Sequence, residues 1–185
     1  MKYKTLFGGI CWAATMVGSA VHAETTLYDD FGGQAVERWE YFSDGVMGGV
    51  SDGRADFAID GTTAYIRLTG KVSTANNGGF IQARRLLREG WPEGTDGLAL
   101  KVRGNGESYY VFLRTTEMTR PWHYYNAVFE TNADWATVRI PLAAFDRSHD
   151  FLAGTIEPKT VISIGLVAYG RDHAADFSVA SVALY

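Results

Sequence analysis

Along most of this chain an apolar side chain returns at every second position. Tyr109, Val111 and Leu113 alternate with Tyr110, Phe112 and Arg114, and Leu98, Leu100 and Val102 alternate with Ala99, Lys101 and Arg103. Period two is the spacing of a pleated strand, because successive side chains point to opposite faces. Similar runs cover 26–31, 38–43, 54–60, 63–70, 79–85, 122–130, 161–169 and 176–184, and Val138–Leu142 alternates until Pro141 stops it. Turn-forming residues separate the runs, among them Asp60-Gly61, Asn77-Gly78, Asp96-Gly97 and Gly104-Asn105-Gly106. About ten or eleven short strands rich in Tyr, Phe, Val and Ile predict an all-β fold, a two-sheet antiparallel β-sandwich. A jelly roll fits better than an immunoglobulin sandwich, which has fewer strands and a Cys–Trp–Cys spacing absent here. Leu86–Glu89 and Ala143–Asp146 each predict about one helical turn.

The N-terminus reads as a secretory signal. Lys2 and Lys4 precede the charge-free run Leu6–Val21, and Val21 and Ala23 place small residues at −3 and −1 before Glu24. The expected organisation is a signal peptide at 1–23 and one β-sandwich domain at 24–185, periplasmic or secreted, with no stable membrane insertion after cleavage. Cleavage removes Cys11, the one cysteine, so no disulfide, thiol ligand or thiol nucleophile is expected. It also removes Lys2 and Lys4, leaving the chain more acidic than the −4 of the full sequence. That balance argues against nucleic acid as a partner.

Few residues carry a pattern for chemistry. His123, His149 and His173 show no metal-ligand spacing, so neither a metal nor another cofactor is expected. The glycines of Gly48–Gly53 lack the following Lys-Ser/Thr and helix of a phosphate loop. No Gly-X-Ser-X-Gly elbow occurs. Asp44, Asp52, Asp96 and Glu130 could pair for glycoside hydrolysis but read as turn or solvated strand positions, so no catalytic residue is assigned.

Aromatic density remains. Trp122, His123, Tyr124 and Tyr125 are consecutive, near the strand holding Tyr109, Tyr110 and Phe112. Aromatics offer flat faces to sugar rings or partner side chains, although a two-sheet core also consumes many of them. Period two decides which face each takes. Val111 and Leu113 have no polar use, so Tyr109 joins them inward and Tyr110, Phe112 and Arg114 point outward. The same logic sends Tyr125, Ala127 and Phe129 inward and Tyr124 and Asn126 outward. If the two strands are neighbours, Tyr110, Arg114, Tyr124 and Asn126 form one patch that Trp122 and Arg84 border. These six are the candidate ligand-binding residues, suited to a sugar or a peptide.

Two glycine clusters stand apart from the strands. Asp44-Gly45-Val46-Met47-Gly48-Gly49-Val50-Ser51 and Asn76-Asn77-Gly78-Gly79-Phe80 are expected to let two loops approach each other or the sheet closely. Asp44, Gly45, Met47, Gly48, Gly49, Asn77, Gly78 and Gly79 therefore read as structural. With Trp39 ahead of them, these strings resemble the signature of the complex I intermediate-associated protein 30 family. Gly97–Gly106, Tyr125-Asn126-Ala127 and Trp135 through Phe145 extend the resemblance, with Asn105 for its usual Asp and Asn126 for its usual Gln. The resemblance implies a galactose-binding-like jelly roll akin to some carbohydrate-binding modules. The mitochondrial members of that family assist assembly of respiratory complex I. The expected function is a non-catalytic exported module that binds a protein complex or a glycan, assisting assembly of a membrane protein complex. A periplasmic carbohydrate-binding module is the alternative, and a glycan-active enzyme the third reading.

Overall fold

The computed structural model describes residues 25–185. The expected signal segment 1–23 lies outside the described residues. Twelve strands follow one another: β1 (Thr26–Asp29), β2 (Trp39–Ser43), β3 (Asp52–Asp60), β4 (Thr63–Val72), β5 (Phe80–Leu86), β6 (Gly97–Gly104), β7 (Ser108–Thr115), β8 (Tyr125–Glu130), β9 (Ala136–Pro141), β10 (Asp146–Arg147), β11 (Val161–Tyr169) and β12 (His173–Leu184). They form two six-stranded antiparallel sheets. One runs β3-β4-β12-β6-β9 with β1 also on β12, and the other runs β10-β8-β7-β11-β5-β2. The all-β sandwich expected from periodicity is the observed architecture.

The sheets meet over one apolar layer. Tyr109, Val111 and Leu113 of β7, Tyr125 and Phe129 of β8, and Ile164 and Leu166 of β11 are buried. They face Ile66 and Leu68 of β4, Leu98 and Leu100 of β6, and Phe177 and Val179 of β12. Tyr109 packs on Phe177 with ring centroids 4.1 Å apart, and its hydroxyl accepts from the Asp176 N–H and donates to Asn105 Oδ1. A buried phenol thus keeps both its polar capacities occupied. In β12 the pairing with β6 shifts between Val179 and Ser181. That irregularity re-phases the alternation, so Phe177 and Val179 are buried before it and Val182 and Leu184 after it.

Two local expectations need correction, and one element was not expected. No helical turn forms at Leu86–Glu89; the Leu87 N–H instead donates to Ile162 O across to the neighbouring strand. The strand expected from residue 122 begins only at Tyr125. The Arg114 guanidinium donates to the carbonyls of Met118, Arg120 and His123, folding that segment into a loop over its own strand. A short helix at Ala35–Arg38 (α1) was not legible in the periodicity. It is fixed by tertiary bonds: Asp29 accepts from Arg38, Arg85, Trp39 Nε1 and the Phe31 N–H. Among the described residues no helix is long and apolar enough to cross a membrane.

Candidate functional site

The two glycine motifs occupy the loops where the chain passes from one sheet to the other. Ser43 ends β2, and its Oγ accepts from the Gly45 N–H at the start of a 3₁₀ turn, Asp44–Met47. Gly48 closes that turn at φ +92°, a left-handed conformation that costs a residue with a Cβ. Asp44 itself is completely buried. Its carboxylate accepts from the Ser51 N–H (2.9 Å), the Ser51 hydroxyl and the N–H groups of Gly79 and Phe80. One carboxylate therefore ties the loop before β3 to the loop before β5. A Cβ at Gly49 or Gly78 would overlap the Asp44 side chain, so glycine is required at both. Burial pushes the Asp44 carboxyl up, but the hydrogen bonds from Ser51, Gly79 and Phe80 outweigh it and hold the group below the usual carboxylate range. Asn76 and Asn77 turn the second loop with φ +57° and +59°. Gly45 and Met47 lie outside the tie, and Met47 is exposed.

Beside this tie a cleft of about 300 Å³ crosses the outer face of the β2–β10 sheet. Its floor is Gly165, in register with Arg84 of β5 on one side and Phe112 of β7 on the other. A side chain there would meet Gln82 Oε1 and Phe112, so the glycine makes the depth. Phe112 and Tyr124 wall one side as a stacked pair, centroids 4.2 Å apart and planes 7° from parallel. Tyr169 meets Phe112 edge-on at 5.3 Å, and its hydroxyl hydrogen-bonds that of Tyr124 at 3.1 Å. Burial, then the hydrogen bond and charge of Tyr169, hold the Tyr124 phenol well above its ordinary range. On the opposite wall Phe42 and Phe80 meet edge-on, and the Arg84 guanidinium lies 4.5 Å from the Phe42 ring centroid. Val46 and Met47 of the first motif border one end, and Pro121 and Trp122 the other. Trp122 is 51% exposed, so an indole face is free at the rim.

The structure gathers four of the six candidate binding residues at this cleft: Arg84, Arg114, Trp122 and Tyr124. Tyr110 and Asn126 share the outward face, because β7 and β8 pair with Phe112 opposite Asn126, but they lie beyond the cleft. Tyr110 packs edge-on against Tyr169, and Asn126 Nδ2 donates to Asp146 O. Arg114 is half-buried and committed to loop carbonyls. Burial, then the charge of Arg84, pull its ionisation below the ordinary arginine range. Sequence reasoning missed Phe42, Phe80, Gln82 and Gly165, which lie on strands more than twenty residues from the aromatic run. Period two on β5 would have placed Phe80, Gln82 and Arg84 on one face. Of the histidines, His123 and His149 do approach, with ring centroids 5.0 Å apart. Among the described residues no group of three metal-ligating side chains forms.

Among the described residues the cleft lining contains no aspartate or glutamate, whereas glycoside hydrolysis uses two carboxyls flanking the bond.

Solved structures share this fold. A family 11 carbohydrate-binding module from Clostridium thermocellum, in complex with a beta-1,3-1,4-mixed-linked tetrasaccharide, superposes with a TM-score of 0.70 at 17% identity, covering 86% of this chain and 94% of that one. The family 11 module of the cellulosomal cellulase Lic26A-Cel5E of Clostridium thermocellum superposes with a TM-score of 0.72 at 16% identity, covering 88% and 95%. An agarase matches with a TM-score of 0.58 at 8% identity over 86% of this chain and 24% of its own. At these identities the likeness is one of fold. No curated protein matches in sequence. The model for Complex I intermediate-associated protein 30 matches residues 30–180, and this chain belongs to that family.

Proposed function

We propose that this protein is a non-catalytic, exported glycan-binding module, with residues 24–185 as its single domain. The observation that carries the reading is the cleft on the outer face. Its lining draws on four neighbouring strands, β2, β5, β11 and β7, roughly 14 Å across at about 4.8 Å per strand spacing, and on Trp122 and Tyr124 beyond them, long enough for a short oligosaccharide. Aromatic walls, a free indole at the rim and a few polar groups (Gln82, Arg84, Ser163) match how small-molecule sites combine apolar area with sparse hydrogen bonding. The lining without carboxylates supports binding without cleavage. The tripartite N-terminus supports export to the periplasm, where the protein would meet glycans. The family 11 module above was solved with a tetrasaccharide, which lends the same reading weight.

The test is calorimetric titration against neutral and acidic oligosaccharides. Trp122→Ala is expected to weaken binding by roughly tenfold or more, since an aromatic truncated from a binding surface typically costs about 2 kcal/mol, at an unchanged melting temperature. Full affinity in that variant would remove the cleft as the site.

A second reading has its own observation. Val46 and Met47 are 75% and 58% exposed, yet sit on a loop locked by Asp44. Rigid, exposed apolar side chains suit a protein partner, and the family's link to complex I assembly makes a membrane protein complex the candidate. Met47→Asp should then abolish co-purification with that complex, whereas Trp122→Ala, at the other end of the cleft, should leave it unchanged.

A further inference from the structure

We infer that the cleft selects an anionic saccharide, one bearing carboxylates, over a neutral one; this deepens the glycan reading and rests on it. The chain as a whole is acidic, with a formal charge of −4. Its cleft reverses that sign, with Arg84 and Arg114 in the lining and, among the described residues, no Asp or Glu. At the rim, Arg120 stands 5.9 Å from the Trp122 ring and adds a third cation.

The two lining arginines play different parts. Arg114 donates to three backbone carbonyls, so it contributes positive field and little hydrogen-bonding capacity. Arg84 is different. Its one side-chain hydrogen bond among the described residues is from Nη2 to Glu40 Oε2 at 3.3 Å, and Glu40 is 70% exposed on its side chain. Such an exposed pair is weak. Arg84 Nε is buried and has no partner there. With Nε enclosed, the Nη edge of the guanidinium is the side left for an acceptor in the cleft, and a charged acceptor makes the stronger hydrogen bond there. Packing on Phe42 at 4.5 Å restrains the guanidinium before anything binds. A planar fork held in place fits a planar carboxylate in two parallel hydrogen bonds, which a lysine ammonium could not supply. Aromatic walls in the same cleft require apolar ring faces on the ligand, which excludes a bare anion and fits a sugar acid.

Calorimetry on the exported protein separates the possibilities. The probes are tetramers of galacturonate, glucuronate and mannuronate, each paired with its methyl ester, together with a sulfated oligosaccharide and the mixed-linked glucose tetrasaccharide. At least one uronate is expected to bind about tenfold or more tighter than its ester, because hydrogen bonds to charged groups are the strong ones, and to weaken with added salt. Arg84→Gln should erase that preference, bringing acid and ester to within about twofold of each other. Arg84→Lys should restore only part of it. Equal affinity for acid and ester, tighter binding of the sulfated sugar than of any uronate, or an undiminished preference in both Arg84 variants would overturn the inference and leave glycan binding standing. Absence of binding to every saccharide would overturn both.

Discussion

Asp44 joins two crossings between the sheets through one buried carboxylate. An ionised carboxylate in a buried loop is stable only because four donors surround it. Asp44→Asn keeps one acceptor oxygen but turns an amide N–H toward backbone donors. Leaving buried donors unmatched costs about 1–3 kcal/mol, which for a domain of this size lowers the melting temperature by roughly 3–10 °C. The pH dependence follows from the depressed folded-state pKa. Stability from this carboxylate is full above its unfolded-state value of about 3.9 and is lost as pH falls through the folded value. Thermal unfolding between pH 3 and 7 should therefore show a shallower acid limb in Asp44→Asn than in wild type, and parallel curves would disprove the role. The two adjoining glycines are distinguishable by the same measurement. Gly48→Ala meets nothing within 4 Å and suffers only its positive φ, a cost of about 1 kcal/mol. Gly49→Ala drives its Cβ into the Asp44 carboxylate and should destabilise clearly more. The sequence displayed the motif plainly, since three glycines around an Asp have no other economical use. It could not display the tie, because Ser51, Gly79 and Phe80 become ligands of one carboxylate only after the sheets have met.

Among the elements, β11 shows how a strand can shape a site by omission. It is flanked by β7 and β5, and its outward positions Ser163 and Gly165 are small where both neighbours carry large side chains. Gly165→Val would place branched carbons under Phe112 and against Gln82. A β-branched residue suits a strand better than glycine does, so the melting temperature should stay within roughly 4 °C of wild type. Oligosaccharide binding should nevertheless be lost, and retention of binding would place the ligand elsewhere. Alternation was readable on β7 and β8 because Val111, Leu113, Ala127 and Phe129 fix their inward faces. The length of β8 was not readable. Trp122-His123-Tyr124 looks like strand, yet Arg114 captures the His123 carbonyl that a ladder would have used and the Arg120 carbonyl before it. A long-range side-chain bond of that kind leaves no mark on local periodicity.

At the scale of the whole molecule, two sheets and their shared core follow from composition and period two, while their order does not. Nothing in the alternation says that β12 lies between β4 and β6, or that β11 lies between β7 and β5. That order nonetheless decides the site, because it sets Arg84 across Gly165 from Phe112. It also decides when the Asp44 tie can close. The chain leaves the β2 sheet for the β3–β4 hairpin and returns at β5, and Asp44 joins the outgoing and returning crossings over 35 residues. The hairpin can form from local contacts with a short turn at Gly61. The tie cannot form until both crossings are in place, which makes it one of the last interactions to be made on the way in and one of the first to break on the way out. Interactions absent from the folding transition state show up almost wholly in the unfolding rate. In stopped-flow experiments Asp44→Asn should thus leave the refolding limb near that of wild type and steepen the loss of the folded state. A slowed refolding limb would instead make this loop part of the nucleus. With refolding unchanged, the glycine motif acts as a latch on residence time: it governs how long the binding face persists once formed, rather than how quickly the chain finds it.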